Sequence, residues 1–142
     1  MTAEPLELAL TASPSDADVA AILAGLDDAR PASLPPFRAE PLAVLLRDRT
    51  GRLCGGLHGH TVWGWLAIKH LWIESDWRGR GYGRRLMACA EDEARRRGCR
   101  GAYVTTFSFQ APDFYQCCGY RLVASADDFP PGHRHLAFRK PL

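Results

Sequence analysis

A mixed α/β fold is predicted by three observations. Apolar runs of strand length alternate with segments of helical spacing, two of those runs flank a turn of hairpin type, and the most apolar run leads straight into a glycine-rich turn and then a helix. A hydrophobic share of 46% against 24% charged residues is the balance of a chain that buries a core, and 142 residues fit one domain, 1–142.

Taken in order, residues 6–10 form a short apolar run suited to a first strand. Ser13 and Pro14 then supply a cap and a first-turn proline, and Val19, Ile22, Leu23 and Leu26 recur at helical spacing. Residues 27–41 hold four prolines (31, 35, 36 and 41), which break regular structure and suit a surface loop that acts as a lid. Residues 42–46 and 53–60 read as two strands joined through Arg49-Thr50-Gly51-Arg52, a hairpin. Residues 65–73 are aromatic or branched on both parities, which predicts a central strand covered on both faces.

After the glycine turn at 78–83, Leu86, Met87, Ala90 and Ala94 mark one apolar helix face, ended by Gly98. Residues 101–107 are a strand, 112–118 a short helix with Asp113 in its first turn, 120–124 a strand, and 135–139 a last, edge strand.

Charge narrows the function. Between Arg78 and Arg100 eight arginines face three acids, a local net of +5 that leaves −3 for the rest of a chain of overall charge +2. Such concentration predicts one polyanionic ligand at one place rather than a nucleic-acid or membrane surface. Arg95, Arg96 and Arg97 read as a solvated helix face. No apolar run reaches the roughly 20 residues of a membrane helix, and the first ten residues lack a basic and apolar leader, so a cytoplasmic protein is expected. The five cysteines (54, 89, 99, 117 and 118) have no C-x-x-C spacing and read as reduced thiols, the 117–118 pair as small buried side chains.

The segment Arg78-Gly79-Arg80-Gly81-Tyr82-Gly83 stands between a strand and a helix start. Glycines let several amides converge on one anion, and the helix start adds unpaired N–H groups and the positive end of its dipole. Arg78, Arg80 and Arg84 add formal charge, so the segment predicts a phosphate cradle. A triphosphatase loop needs Lys-Ser/Thr after its last glycine, where this chain has Arg84-Arg85. The dinucleotide fingerprint lacks its third glycine, since Arg84 stands in that place.

Arg78-x-x-Gly81-x-Gly83 resembles the pyrophosphate loop of the GNAT (general N-acetyltransferase) superfamily. The run from Ala111 through Phe114, Tyr115 and Gly119 to Tyr120 resembles that family's second signature. The resemblance implies a mixed, mostly antiparallel sheet with a splayed central strand pair, flanked by helices. It implies a single-domain N-acetyltransferase that moves an acetyl group from acetyl-CoA to a primary amine by direct attack, with no metal. In that pattern the amides from Gly79 to Arg84, Tyr82 included, hold the pyrophosphate. The backbone of Leu71 and Ile73 meets the pantetheine arm and the thioester carbonyl, where a fixed N–H stabilises developing charge. Tyr115 takes the place of the acid that protonates the leaving thiolate, a role a neutral phenol can perform.

The chain departs from the family in two places. Ser108 stands where an asparagine often bonds the pantetheine, and the central-strand positions that carry a general base hold Ala67 and Lys69. Glu74 and His70 are the remaining candidates for that base, alongside a water chain or an amine bound neutral. A chain that kept the cradle and lost the base would be a non-catalytic acyl-CoA-binding regulatory domain, the alternative reading. The acceptor is left open between a small-molecule and a protein amine, and a homodimer is compatible with the fold.

His58-x-His60 and His133-x-His135 each place two imidazoles on one strand face, but no carboxylate or thiol pair is spaced to complete a zinc site. Of the four tryptophans, most are expected in the core, with Trp63 and Phe37 as walls of an acceptor pocket. Asp127 and Asp128 read as an exposed acidic turn able to draw a cationic acceptor.

Overall fold

The computed structural model describes residues 4–142. The chain divides into two units, one ending at Phe37 and one starting at Arg38.

In the first unit a single helix, α1 (Asp16–Asp28), starts at Ser15, whose side chain accepts from the Asp18 amide. The cap is therefore Ser15 rather than Ser13: Asp16 and Asp18 place acids in the first turn after it, where the helix dipole favours them. The strand expected at 6–10 does not form. Leu6, Leu8 and Leu10 lie in irregular exposed chain, because apolar alternation alone supplies no partner for a strand's amides.

The second unit runs β1 (Glu40–Arg47), β2 (Leu53–Val62), β3 (Trp65–Ile73), α2 (Tyr82–Arg96), β4 (Gly101–Phe107), α3 (Pro112–Cys117), β5 (Arg121–Asp127) and β6 (Arg134–Pro141). One six-stranded sheet has the order β1-β2-β3-β4-β6-β5, and β3 with β4 is its parallel pair. The fold class is thus a mixed, mostly antiparallel sheet flanked by helices. The last strand, β6, is not an edge. It lies between β4 and β5 and buries Leu136 and Phe138, while every residue of β5 is exposed.

Helix α2 lays Leu86, Met87, Ala90 and Ala94 against the sheet, all 4% exposed or less, beside Leu57, Leu66, Val104 and Phe138. Full burial of side chains the size of Leu86 or Met87 stabilises by about 1.5–3 kcal/mol each. The same helix buries Glu91. Its carboxylate accepts from Tyr120 Oη at 3.1 Å and Lys140 Nζ at 2.9 Å, which ties α2 to the link between α3 and β5 and to β6.

Arg97 is not part of a solvated face. Its guanidinium donates to Glu93, to the Thr61 hydroxyl and to the carbonyls of Glu40 and Pro41, clamping the end of α2 to β1 and β2. None of the four tryptophans is fully buried, and Trp63 and Trp72 are half-exposed. Cys54 and Cys99 are buried, but Cys117, the last residue of α3, is exposed, and Cys118 is only half-buried where it packs on the edge of the core. All five thiols are free.

Candidate active site

The site begins with a break in the sheet. β3 and β4 pair only from Trp65 with Gly101 to Ile68 with Val104, and beyond that point the two strands part. At the same place β3 carries a bulge: His70 faces His58 and Ile68 faces Gly59, so Lys69 is the extra residue. A bulge shifts side-chain parity by one. Leu71 and Ile73 thereby join Leu66 and Ile68 on the core face, while His70 stays exposed on the other face.

The parting also frees backbone. The Glu74 amide donates to the Cys54 carbonyl of β2, so alternation turns the amides of Leu71 and Ile73 away from β2, toward the gap. The Ile73 carbonyl, on that side, accepts from Arg78 Nε at 2.8 Å. That bond pins the start of the glycine turn to the end of β3.

Below the gap, Gly79 and Gly81 sit at φ of +70° and +83°, where a side chain is strained, and Gly81 caps α2 without a side chain. The first backbone bond of the helix runs from the Arg85 amide to the Gly81 carbonyl, which leaves the amides of Tyr82, Gly83 and Arg84 as its unpaired first turn. Gly83 is glycine for another reason: a Cβ there would stand 2.9 Å from the Phe114 ring.

Both features open into one cleft of about 630 Å³. Of the residues singled out from sequence, Leu71, Ile73, Arg78, Gly79, Gly81, Tyr82, Gly83, Arg84 and Tyr115 line it. Arg80 does not; its guanidinium lies 5.2 Å over the Trp77 ring. Ser108 does not either. Its hydroxyl accepts from the Arg134 amide at 2.9 Å while its own amide donates to the Arg134 carbonyl, stitching the end of β4 to the start of β6. Trp72, Trp77, Phe109 and Gln110 line the cleft without having been expected there. Trp72 and Trp77 thus stand on the cleft rather than in the core, and their place just before the glycine turn is the signal that could have found them.

Tyr115 is 7% exposed, packed against Phe114, Tyr120 and Phe138, and burial raises its phenol above the ordinary range. It stays neutral, a donor, throughout the physiological range. Glu74 lies outside the cleft. Arg52 grips both its carboxylate oxygens, at 2.8 and 3.0 Å, and holds its pKa below the usual carboxylate value.

The His-x-His pairs do not assemble. His58 instead stacks on His70, with Nδ1 atoms 3.4 Å apart, while His133 and His135 contact phenylalanine rings. Among the described residues no three His, Cys, Asp or Glu side chains converge as a metal-binding group, and no helix is long and apolar enough to cross a membrane.

A sheet that opens between two central strands above a glycine-capped helix is the architecture of a class of acyl-transferring enzymes, and comparison with known proteins agrees. The model of the acetyltransferase (GNAT) family matches residues 14–120. Over 102 residues the chain is 49% identical to the blasticidin-S acetyltransferase of Streptomyces morookaense, covering 69% of this chain and 75% of that one. Over 91 residues it is 37% identical to an acetyltransferase of Agrobacterium fabrum, covering 64% and 66%. The crystal structure of an acetyltransferase from Bacillus cereus superposes with a TM-score of 0.85 at 28% identity, covering 94% of this chain and 98% of that one. The chain belongs to the GNAT acetyltransferase family and is an acyltransferase.

Proposed function

We propose that the protein transfers the acetyl group of acetyl-CoA to the primary amine of a small molecule. The observation that carries this is one cleft that joins unpaired helix amides to strand amides at a sheet opening, with a buried neutral phenol beside them. The 49% identity to a blasticidin-S acetyltransferase supports an antibiotic-like amine as acceptor. The family match over residues 14–120, with a Bacillus cereus acetyltransferase structure that covers 94% of the chain, supports reading 1–142 as one acetyltransferase domain.

The residues fit the donor as follows. The amides of Tyr82, Gly83 and Arg84, with the side chains of Arg78 and Arg84, hold the pyrophosphate, and Arg80 adds charge from its place over Trp77. The Leu71 and Ile73 amides meet the pantetheine and the thioester carbonyl, whose oxygen gains charge as the amine attacks. Ser108, outside the cleft and bonded to Arg134, is left without a part in holding the pantetheine. The amine nitrogen bonds to the carbonyl carbon, the C–S bond breaks, Tyr115 gives its proton to the departing thiolate, and the amine's proton leaves to solvent. Glu74 is a poor base, because both oxygens are held by Arg52 and its pKa is lowered. An amine bound neutral needs no base before attack, and the proton that its nitrogen sheds afterwards goes to solvent.

The test is thermal melting with acetyl-CoA and with adenosine, followed by a thiol-release assay with blasticidin S. A rise in Tm with acetyl-CoA alone, and acetyl-CoA-dependent thiol release, are expected. No shift at saturating acetyl-CoA overturns the donor assignment.

A further inference from the structure

Five rings cluster where β4 ends against the β5–β6 turn, and only one of them, Phe109, also lines the donor cleft. Phe107 ends β4 and stacks flat on Phe109, with planes 1° apart and centroids at 5.4 Å. Phe129, on the β5–β6 turn, meets Phe107 edge-on at 5.6 Å and 87°. His135 tilts between Phe107 and Phe129 at 4.9 and 5.0 Å, and His133 stands against Phe109 at 5.0 Å. The result is a corner of two nearly perpendicular aromatic walls.

Two properties mark this corner as a recognition surface. Phe109 is 57% and Phe129 53% exposed, an apolar area turned to solvent at a cost. It is also held rigid. The Ser108–Arg134 pair of bonds joins the two segments, Gln110 Oε1 accepts from the Phe107 amide at 3.1 Å, and within the turn the amide of Phe129 donates to the His133 carbonyl. Rings fixed in advance suit stacking, because little side-chain entropy is left to lose.

The corner is continuous with the donor cleft through Phe109, which lines both, so an occupant of the corner borders that cleft. Asp128, exposed on the same turn, and Asp127, exposed at the end of β5 opposite Arg134, give that occupant a negative neighbour. We infer that the Phe107–Phe109–Phe129 corner binds the amine acceptor by stacking, and that the acceptor is a small molecule with a planar unsaturated ring and a cationic amine arm. The offset-stacked and edge-to-face geometries that aromatic rings favour are both on offer there. This rests on the acetyl-transfer reading above.

The test compares tryptamine with 2-cyclohexylethylamine, a planar and a saturated ring each on a two-carbon amine arm, in the thiol-release assay. The wild type is expected to favour tryptamine about tenfold in kcat/KM, and Phe129→Leu, which keeps the apolar bulk and removes the ring, is expected to collapse that preference through the acceptor KM. Equal kcat/KM for the two amines, a preference untouched by Phe129→Leu, or turnover of neither overturns the proposal. A Phe129→Leu effect confined to the acetyl-CoA KM does so as well, by assigning the corner to the donor. The acetyl-CoA melting shift separates the cases: if it persists while the preference is absent, only the acceptor inference falls, and if it is missing, the donor assignment falls first.

Discussion

The Tyr120 hydroxyl donates to the buried carboxylate of Glu91 at 3.1 Å, and Lys140 donates to the other oxygen of that carboxylate at 2.9 Å. Glu91 is 4% exposed, so these two donors replace the water that its carboxylate has lost. Replacing Lys140 with Met leaves a buried, half-paired anion, and a loss of about 3 kcal/mol is expected in a denaturant titration. Glu91→Gln keeps an acceptor for Tyr120 and should cost less, on the order of 1 kcal/mol.

Tyr115, whose ring lies 6.2 Å from that of Tyr120, has no such anchor and faces the cleft. In the proposed role of the acid that protonates the thiolate it must carry its proton, so activity is expected to fall as pH rises through its pKa, which burial places above the ordinary tyrosine value. Tyr115→Phe is expected to lower kcat about 100-fold with little change in acetyl-CoA affinity, and to remove that alkaline limb. A kcat equal to the wild type's would take the acid role from this residue.

The two glycines of the cradle should fail differently. At Gly81 the surroundings are open but φ is +83°, so Gly81→Ala costs about 1–2 kcal/mol of backbone strain and shifts the first helix amides, raising the acetyl-CoA KM. At Gly83 an added Cβ meets Phe114 at 2.9 Å, next to Tyr115. Gly83→Ala should cost about 1–3 kcal/mol by overpacking and lower kcat by moving the phenol. Melting curves and steady-state kinetics on both variants separate the effects.

Glu93 illustrates a pH-dependent clamp. Hydrogen bonds from Arg96 and Arg97 hold its pKa at about 2, against an ordinary 4.5. A pKa lowered in the folded state stabilises above the unfolded value and fades as pH falls between about 4.5 and about 2. Glu93→Gln should therefore melt below the wild type at neutral pH, with the gap closing across that window.

Glu74 gives the converse expectation. With both oxygens held by Arg52, Glu74→Gln should loosen the β1–β2 hairpin while leaving the acid limb of kcat where it is. A limb displaced in the variant would restore Glu74 as the base.

Much of this was legible in the chain. The apolar spacing of Leu86, Met87, Ala90 and Ala94 named the buried face of α2, and the glycines at 79, 81 and 83 marked a helix start with unpaired first-turn amides. Where reading failed, a local pattern was asked to report a distant partner. Residues 6–10 alternate like a strand but form none. Arg97 sits in a run of three arginines, yet its bonds reach residues 40, 41 and 61.

By itself the sequence determined what periodicity, glycine placement and charge encode: which stretches become helix or strand, and where unpaired amides meet arginines. Only the tertiary structure decided that β6 slips between β4 and β5, that a bulge at Lys69 turns Leu71 and Ile73 to the core, and that Phe107, Phe109 and Phe129 form a corner beside the cleft. Pairing order and ring contacts join residues far apart in the chain, and the free energy that selects them comes from packing the whole sheet at once, which no local window contains.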